Sequence, residues 1–177
     1  AQRLEITCGE APYLVSRYDT VSGNSIPISE RIGLLDRKLR IVNENVQSDD
    51  EWITWTIRAY QSIFGYEFQG DNLLLARENL LVTFIDHYQN RFDSAPSIKI
   101  LRSIANTIAW NIWQMDGMNF VVPYSCHDVK KSELSLFDEI IKIEPCPGCK
   151  NGDRQQHNGC YCNIQDWRTK RYHDIAW

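Results

Sequence analysis

Three short apolar runs separated by long amphipathic stretches constrain this chain more than any other feature of its sequence. "RLEITC", Arg3 to Cys8, suits a buried strand and stops at Gly9. "GYEFQ", Gly65 to Gln69, and "NIWQMDG", from Asn111, are the second and third runs, the last ending in an acid and a glycine. Between them the spacing turns helical. Brief helical turns are expected over Tyr13 to Tyr18, after which "VSGNSIP" is a loop. In "ERIGLLDRKLRIVNENV", Ser29 is placed to cap a helix that carries Ile32, Leu35, Leu39 and Val42 on one face. "SDDE" sets Ser48 and Glu51 in capping-box register before Trp52, Trp55, Ala59 and Ile63, with Gly65 as the stop. From Asp71, helical spacing recurs through Leu73, Leu74, Leu80, Leu81, Phe84 and Ile85, and after Pro96, Ser97 caps "SIKILRSIANTIAW". Strands alternating with helices predict an α/β sandwich around a mostly parallel sheet.

At 177 residues, with 43% hydrophobic and 24% charged residues, one domain with a small appendage is expected. The net charge of -4 argues against wholesale coating of nucleic acid but leaves room for local basic contacts such as "RTKRYH". No apolar run approaches the roughly 20 residues of a membrane span, and "AQRLEITCGE" lacks the regions of a signal peptide. A cytosolic location is the expectation. The six cysteines then read as thiols or metal ligands rather than disulfides. Trp52, Trp55, Trp110 and Trp113 sit at helical or strand spacing and read as core, and His87 and His173 have no evident catalytic partner.

Open α/β sheets bind ligands at the carboxyl ends of their strands. Here those ends carry Gly9, Glu67 and Asp116. An acid closing the second strand can accept hydrogen bonds from ribose hydroxyls, and one after the third can accept from an adenine amino group. Each acid alone reads as a solvated side chain; together they describe an adenosine site.

These segments carry a resemblance. "LEITCGEAPYLV", "GYEFQGDNLLLARENL" and "WNIWQMDGM" resemble the first three motifs of S-adenosylmethionine-dependent DNA adenine-N6 methyltransferases. The whole chain is similar to restriction endonuclease subunit M, the type IIG-like modification proteins of restriction-modification systems, and "DWR" resembles a pair those proteins carry before their catalytic motif. The resemblance implies a Rossmann-like fold, a partial αβα sandwich with a helical insertion at about 26–64 and a small zinc-knuckle insertion. The cofactor half would occupy residues 1–125 and the Cys-rich insertion 126–177. It further implies a bacterial or phage origin, cytoplasmic location, and DNA and the rest of a methyltransferase as partners. By the same resemblance Glu5, Cys8, Gly9, Glu10 and Ala11 would lie beneath the methionine part of the cofactor, and Tyr13 would begin the helix behind them. Glu67 would hold the ribose, and Asp116, flanked by Met115 and Gly117, the adenine amino group. Ala11 stands where most such loops carry glycine, which would strain a backbone needing positive φ.

The motif that would hold the flipped base, Asn-Pro-Pro-Tyr or Asp-Pro-Pro-Tyr, does not occur in the 177 residues. No catalytic residue is therefore expected here. The chain reads as an excised fragment, split subunit or truncated product that transfers no methyl group unaided. An unpaired edge on the first strand is expected with it. The rival readings are a non-enzymatic partner-binding or anti-restriction module, and a zinc module that binds nucleic acid.

"CPGCKNGDRQQHNGCYC" holds the second chemical signal. Cys146 and Cys149 form a knuckle whose Pro-Gly turn lets two thiolates reach one tetrahedral zinc. His157 with Cys162 is the favoured completion, because Cys160 and Cys162 would face opposite ways on a strand; Cys160 is the alternative ligand. A flexible insertion with free cysteines is the other reading of this loop. No helix pattern follows Cys149, which disfavours a redox role, and Cys126 and His127 read as structural.

Overall fold

β2 (Ile63–Glu67) is buried at all five positions and forms the centre of a three-stranded parallel sheet. It lies between β1 (Arg3–Ile6) and β3 (Ile112–Gln114), with Arg3 opposite Ile63 and Gly65 opposite Ile112. The structure is a computed structural model and describes residues 1–134, 139–169 and 171–174. The chain divides into two compact units, Ala1–Gln114 and Met115–Trp177.

In the first unit the β1–β2 connection carries a 3-10 turn (Ile28–Glu30), α1 (Leu34–Asn45) and α2 (Asp49–Tyr60). The β2–β3 connection carries α3 (Gly70–Phe92) and α4 (Ile98–Asn111). Parallel strands require such long crossovers, and helices are the usual way to bury them. Leu35 and Leu39 of α1, Trp52 of α2, Ala76, Leu80 and Phe84 of α3, and Ile104 and Ile108 of α4 share one core with Ile63 and Ile112. Residues alternate across a strand, so Leu4 and Ile6 of β1 face the other way and are 48% and 52% exposed. This is an α/β unit with a parallel sheet, as the alternating pattern predicts.

Several local expectations shift. The first strand ends at Ile6 rather than Cys8 and is largely exposed, since among the described residues it pairs only with β2. The helix expected from Ser29 starts at Leu34 instead. The Asp36 carboxylate accepts the Gly33 N–H at 3.1 Å and the Ser16 N–H at 2.7 Å, fixing that later start. Ile32 thus precedes the helix and is 70% exposed. Ser48 occupies the cap position of α2 without a side-chain cap bond, whereas Ser97 accepts the Ile100 N–H at 3.4 Å. Gly65 does not end α2, which stops at Tyr60; the glycine lies inside β2. Trp52 is core, donating to Asn43 Oδ1 at 2.6 Å, but Trp55 is half exposed with the Arg58 guanidinium 4.7 Å above its ring.

The second unit holds two antiparallel pairs, β4 (Val129–Leu134) with β5 (Glu139–Glu144) and β6 (Asn163–Asp166) with β7 (Arg171–Asp174). A five-residue helix, α5 (Pro147–Asn151), sits between the pairs in the sequence. Lys170 of "RTKRYH" lies outside the described residues, as does the side chain of His173. Among the described residues no helix is long and apolar enough to cross a membrane.

Candidate metal centre and ligand cavity

Four side chains of the second unit converge on one point. The thiols of Cys126, Cys146 and Cys149 and the His157 imidazole offer ligand atoms that all lie within 4.8 Å of one another. His157 Nδ1 is 3.3 Å from Cys126 Sγ, 3.7 Å from Cys146 Sγ and 3.6 Å from Cys149 Sγ. Tetrahedral zinc with Zn–S near 2.3 Å and Zn–N near 2.1 Å separates its ligands by roughly 3.6 Å. The donor set and its spacing fit a structural metal ion of that kind.

Local structure explains the convergence. Cys146 caps α5 with Pro147 at the first helical position, which turns Cys149 back onto the same side. Gly148 lies under the histidine, where an added Cβ would stand 2.6 Å from His157 N and 2.8 Å from Asp153 O. Gly159 has the same role toward Cys126, since a Cβ there would come within 3.0 Å of its Sγ. Asn158 then bridges the two segments, accepting from His127 N at 3.1 Å and donating to His127 O at 2.7 Å. Tyr161 holds the other side, its hydroxyl accepting the His157 N–H at 2.8 Å and donating to Arg154 O.

Thiol acidity follows the same geometry. Burial opposes ionisation of Cys146, but donors from the Cys149 and Asn158 backbone, with His157 and Cys126, outweigh it and bring the thiol down to about 6. Cys126 is pushed up to about 11 by burial and by the neighbouring Cys146 and Cys149. Metal binding requires deprotonated thiols, so the lowered Cys146 thiol favours that role while the raised Cys126 thiol would give up its proton to a cation.

Cys146, Cys149 and His157 are therefore brought together as expected, while Cys162 and Cys160 are not. Cys162 is fully buried elsewhere, its N–H on Phe120 O at 3.2 Å and its thiol pushed up to about 12 by burial and Cys160. Cys160 is exposed, its N–H on Ser125 Oγ at 3.0 Å. The fourth member of the cluster is Cys126, which the sequence marks only as a cysteine next to a histidine. Its distance of 31 residues from His157 conceals the pairing. The short helix after Cys146 also lies where periodicity predicts none, because five residues are too few to show a period.

In the first unit, the turn after β1 is the second candidate site. Thr7, Gly9 and Ala11 have φ of 62°, 56° and 67°, all left-handed. A threonine and an alanine there are strained, as expected for Ala11. Glu67 stabilises the turn from the end of β2, accepting the Gly9 N–H at 2.7 Å and the Gln69 N–H at 3.1 Å, and it is 6% exposed. A carboxylate has about four acceptor positions, so these two bonds leave about two of them unused. Cys8 is packed against this pair, its thiol pushed up to about 12 by burial, Glu5 and Glu67. Burial also raises Glu5 to about 7, with Oε2 lacking a hydrogen-bond partner.

A cavity of about 360 Å³ opens beside the turn, lined by Thr7, Cys8, Gly9, Glu10, Tyr13 and Tyr18 among others. The turn does not lead into a helix. Ala11 O accepts from Leu14 and Val15, closing a single turn, and Tyr18 then bridges to Ser25. Pro12 and the Ser16–Asp36 bonds divert the chain, so Tyr13, expected to begin a helix, is 75% exposed on a turn.

Asp116 belongs to the second unit, where its carboxylate closes its own loop. Oδ1 accepts from Met118 N at 2.9 Å and Asn119 N at 3.2 Å, and Oδ2 accepts from Asn119 Nδ2 at 2.8 Å. Met115 is buried and Gly117 half-buried beside it. Comparison of the chain with family models, with curated proteins and with solved structures returned no match.

Proposed function

We propose that this chain is the cofactor-binding part of an S-adenosylmethionine-dependent DNA adenine-N6 methyltransferase of a restriction-modification system, built on a Rossmann-like sheet and stapled by structural zinc. The observation that carries the reading is the Glu67 carboxylate, which ends β2 and holds the glycine turn that ends β1 beside a ligand-sized cavity. The cofactor supplies a methyl group activated on a sulfonium. The residues here bind and orient it: Glu67 offers its two spare acceptor positions to ribose hydroxyls, and the turn from Thr7 to Ala11 forms the floor beneath the methionine part. The Asp116 carboxylate already accepts three hydrogen bonds within its own loop, so it has little acceptor capacity left for an adenine amino group. Methyl transfer is not assigned to these 177 residues, which lack the base-holding tetrapeptide. DNA and the remainder of the enzyme are the partners this reading implies.

Calorimetric titration with S-adenosylmethionine and its demethylated product tests it. Saturable binding is expected, and a folded chain that binds neither overturns the reading. A second reading, a module that pairs with a methyltransferase through β1, draws on the half-exposed Leu4 and Ile6 and on β2 being the only described partner of that strand. Complex formation with a methyltransferase, without cofactor binding, is its signature.

A further inference from the structure

The cavity after β1 has a sign. Among its lining residues Glu10 is the only one with a charged side chain, and neither lysine nor arginine lines it. Phosphate-binding turns work the opposite way, presenting free N–H groups at a helix N-terminus. Here the turn is followed by no helix, and its Gly9 N–H is already taken by Glu67.

Glu10 is also held in place from outside the turn. The Tyr18 hydroxyl donates to Glu10 Oε2, and Asn79 of α3 donates to Glu10 O at 2.9 Å. Arg17 supports that amide, donating to Asn79 Oδ1 at 3.4 Å and to Asp86 Oδ2 at 3.3 Å. The Tyr18 phenol is raised above its ordinary range, chiefly by this bond to Glu10. Tyr18 uses Oε2 alone, so the carboxylate of this lining residue keeps acceptor capacity on Oε1.

We propose that Glu10, positioned by Tyr18 and Asn79, is the specificity-determining carboxylate of this cavity and receives the primary ammonium of its ligand. This rests on the S-adenosylmethionine reading and extends it: the cavity takes a cationic, phosphate-free adenosyl compound and rejects nucleotides. A carboxylate fixed before binding spends little of its interaction on ordering itself, which favours a charge-assisted contact.

Three ligands separate the possibilities by calorimetry: S-adenosylhomocysteine, 5′-methylthioadenosine, which lacks the amino-acid end, and ATP. Wild type is expected to bind S-adenosylhomocysteine more tightly than methylthioadenosine and to show no saturable binding of ATP. Glu10→Gln should weaken S-adenosylhomocysteine roughly tenfold or more and leave methylthioadenosine unchanged. Tyr18→Phe should weaken the same ligand by less. Equal weakening of both adenosyl ligands by Glu10→Gln, no weakening at all, or ATP binding as tight as S-adenosylhomocysteine overturns the assignment while leaving an adenosine site intact. Failure of all three ligands to bind folded wild type removes the underlying reading and the assignment with it. Thermal melts of each variant identify any that loses affinity by unfolding, in which case Glu10→Ser replaces it.

Discussion

The Glu67 carboxylate accepts the Gly9 N–H at 2.7 Å, so the acid that ends β2 holds the turn that ends β1. Two adjacent parallel strands are thereby locked at their carboxyl ends, the side on which open α/β sheets in general bind ligands.

Glu67→Ala should abolish cofactor binding and also loosen the turn, because the Gly9 and Gln69 N–H groups lose their acceptor. A stability loss of about 1–3 kcal/mol is expected. Both Glu67 oxygens are in use, Oε2 for Gly9 and Oε1 for Gln69, so Glu67→Gln, which keeps one acceptor oxygen and sets an NH2 donor against the other N–H, should recover at most about half of that stability and not the binding. Denaturant unfolding beside titration separates the two effects, and binding by Glu67→Ala equal to wild type would remove the ribose role.

About one zinc per chain is expected by elemental analysis, with metal lost in Cys126→Ser, Cys146→Ser and Cys149→Ser. Cys162→Ser and Cys160→Ser should retain it. Retention in Cys126→Ser with loss in Cys162→Ser would restore the ligand set expected from sequence.

Thr7 and Ala11 share a left-handed backbone but not a prediction. Thr7 is exposed, so Thr7→Gly relieves strain at little cost and should stabilise the chain by about 1 kcal/mol. Ala11 is fully buried, and Ala11→Gly gives up a packed methyl worth about 0.8 kcal/mol, leaving its net effect near zero. Thermal melting of the two variants tests the contrast.

Two groups, one buried and one partly buried, give opposite pH dependences. His87, 2% exposed, is held at about 4 by burial, with Asp36 and Arg31 acting in opposite directions. Its native value lies below the ordinary 6.5, so its contribution is present above pH 6.5 and is lost as pH falls through 4, on the order of 3 kcal/mol. Glu5 is raised to about 7 by burial, so its contribution is full below about pH 4.5 and falls as pH rises through 7. The two windows overlap and their slopes oppose one another between about pH 4.5 and 6.5, so unfolding measured from pH 4 to 8 should show stability falling as pH rises toward 7 in His87→Gln and rising from pH 4 to 6.5 in Glu5→Gln.

Much of the α/β order can be read from the chain because its signals are local. The Ser97 cap, the Ser48 cap position, the periodicity of α3 and the Cys146–Cys149 knuckle each depend on residues a few positions apart. Backbone geometry alone relates such neighbours, so spacing predicts them. Glu67 and Gly9 were also identifiable as strand-end residues, but their hydrogen bond joins positions 58 apart. Tertiary structure alone decided that contact, the choice of Cys126 over Cys162, and the diversion of the chain after Ala11 away from a helix. In each case the outcome turns on which distant segment packs closely enough to touch. Gly159 admits Cys126 and Asp36 captures Ser16, and no period in the sequence records either approach.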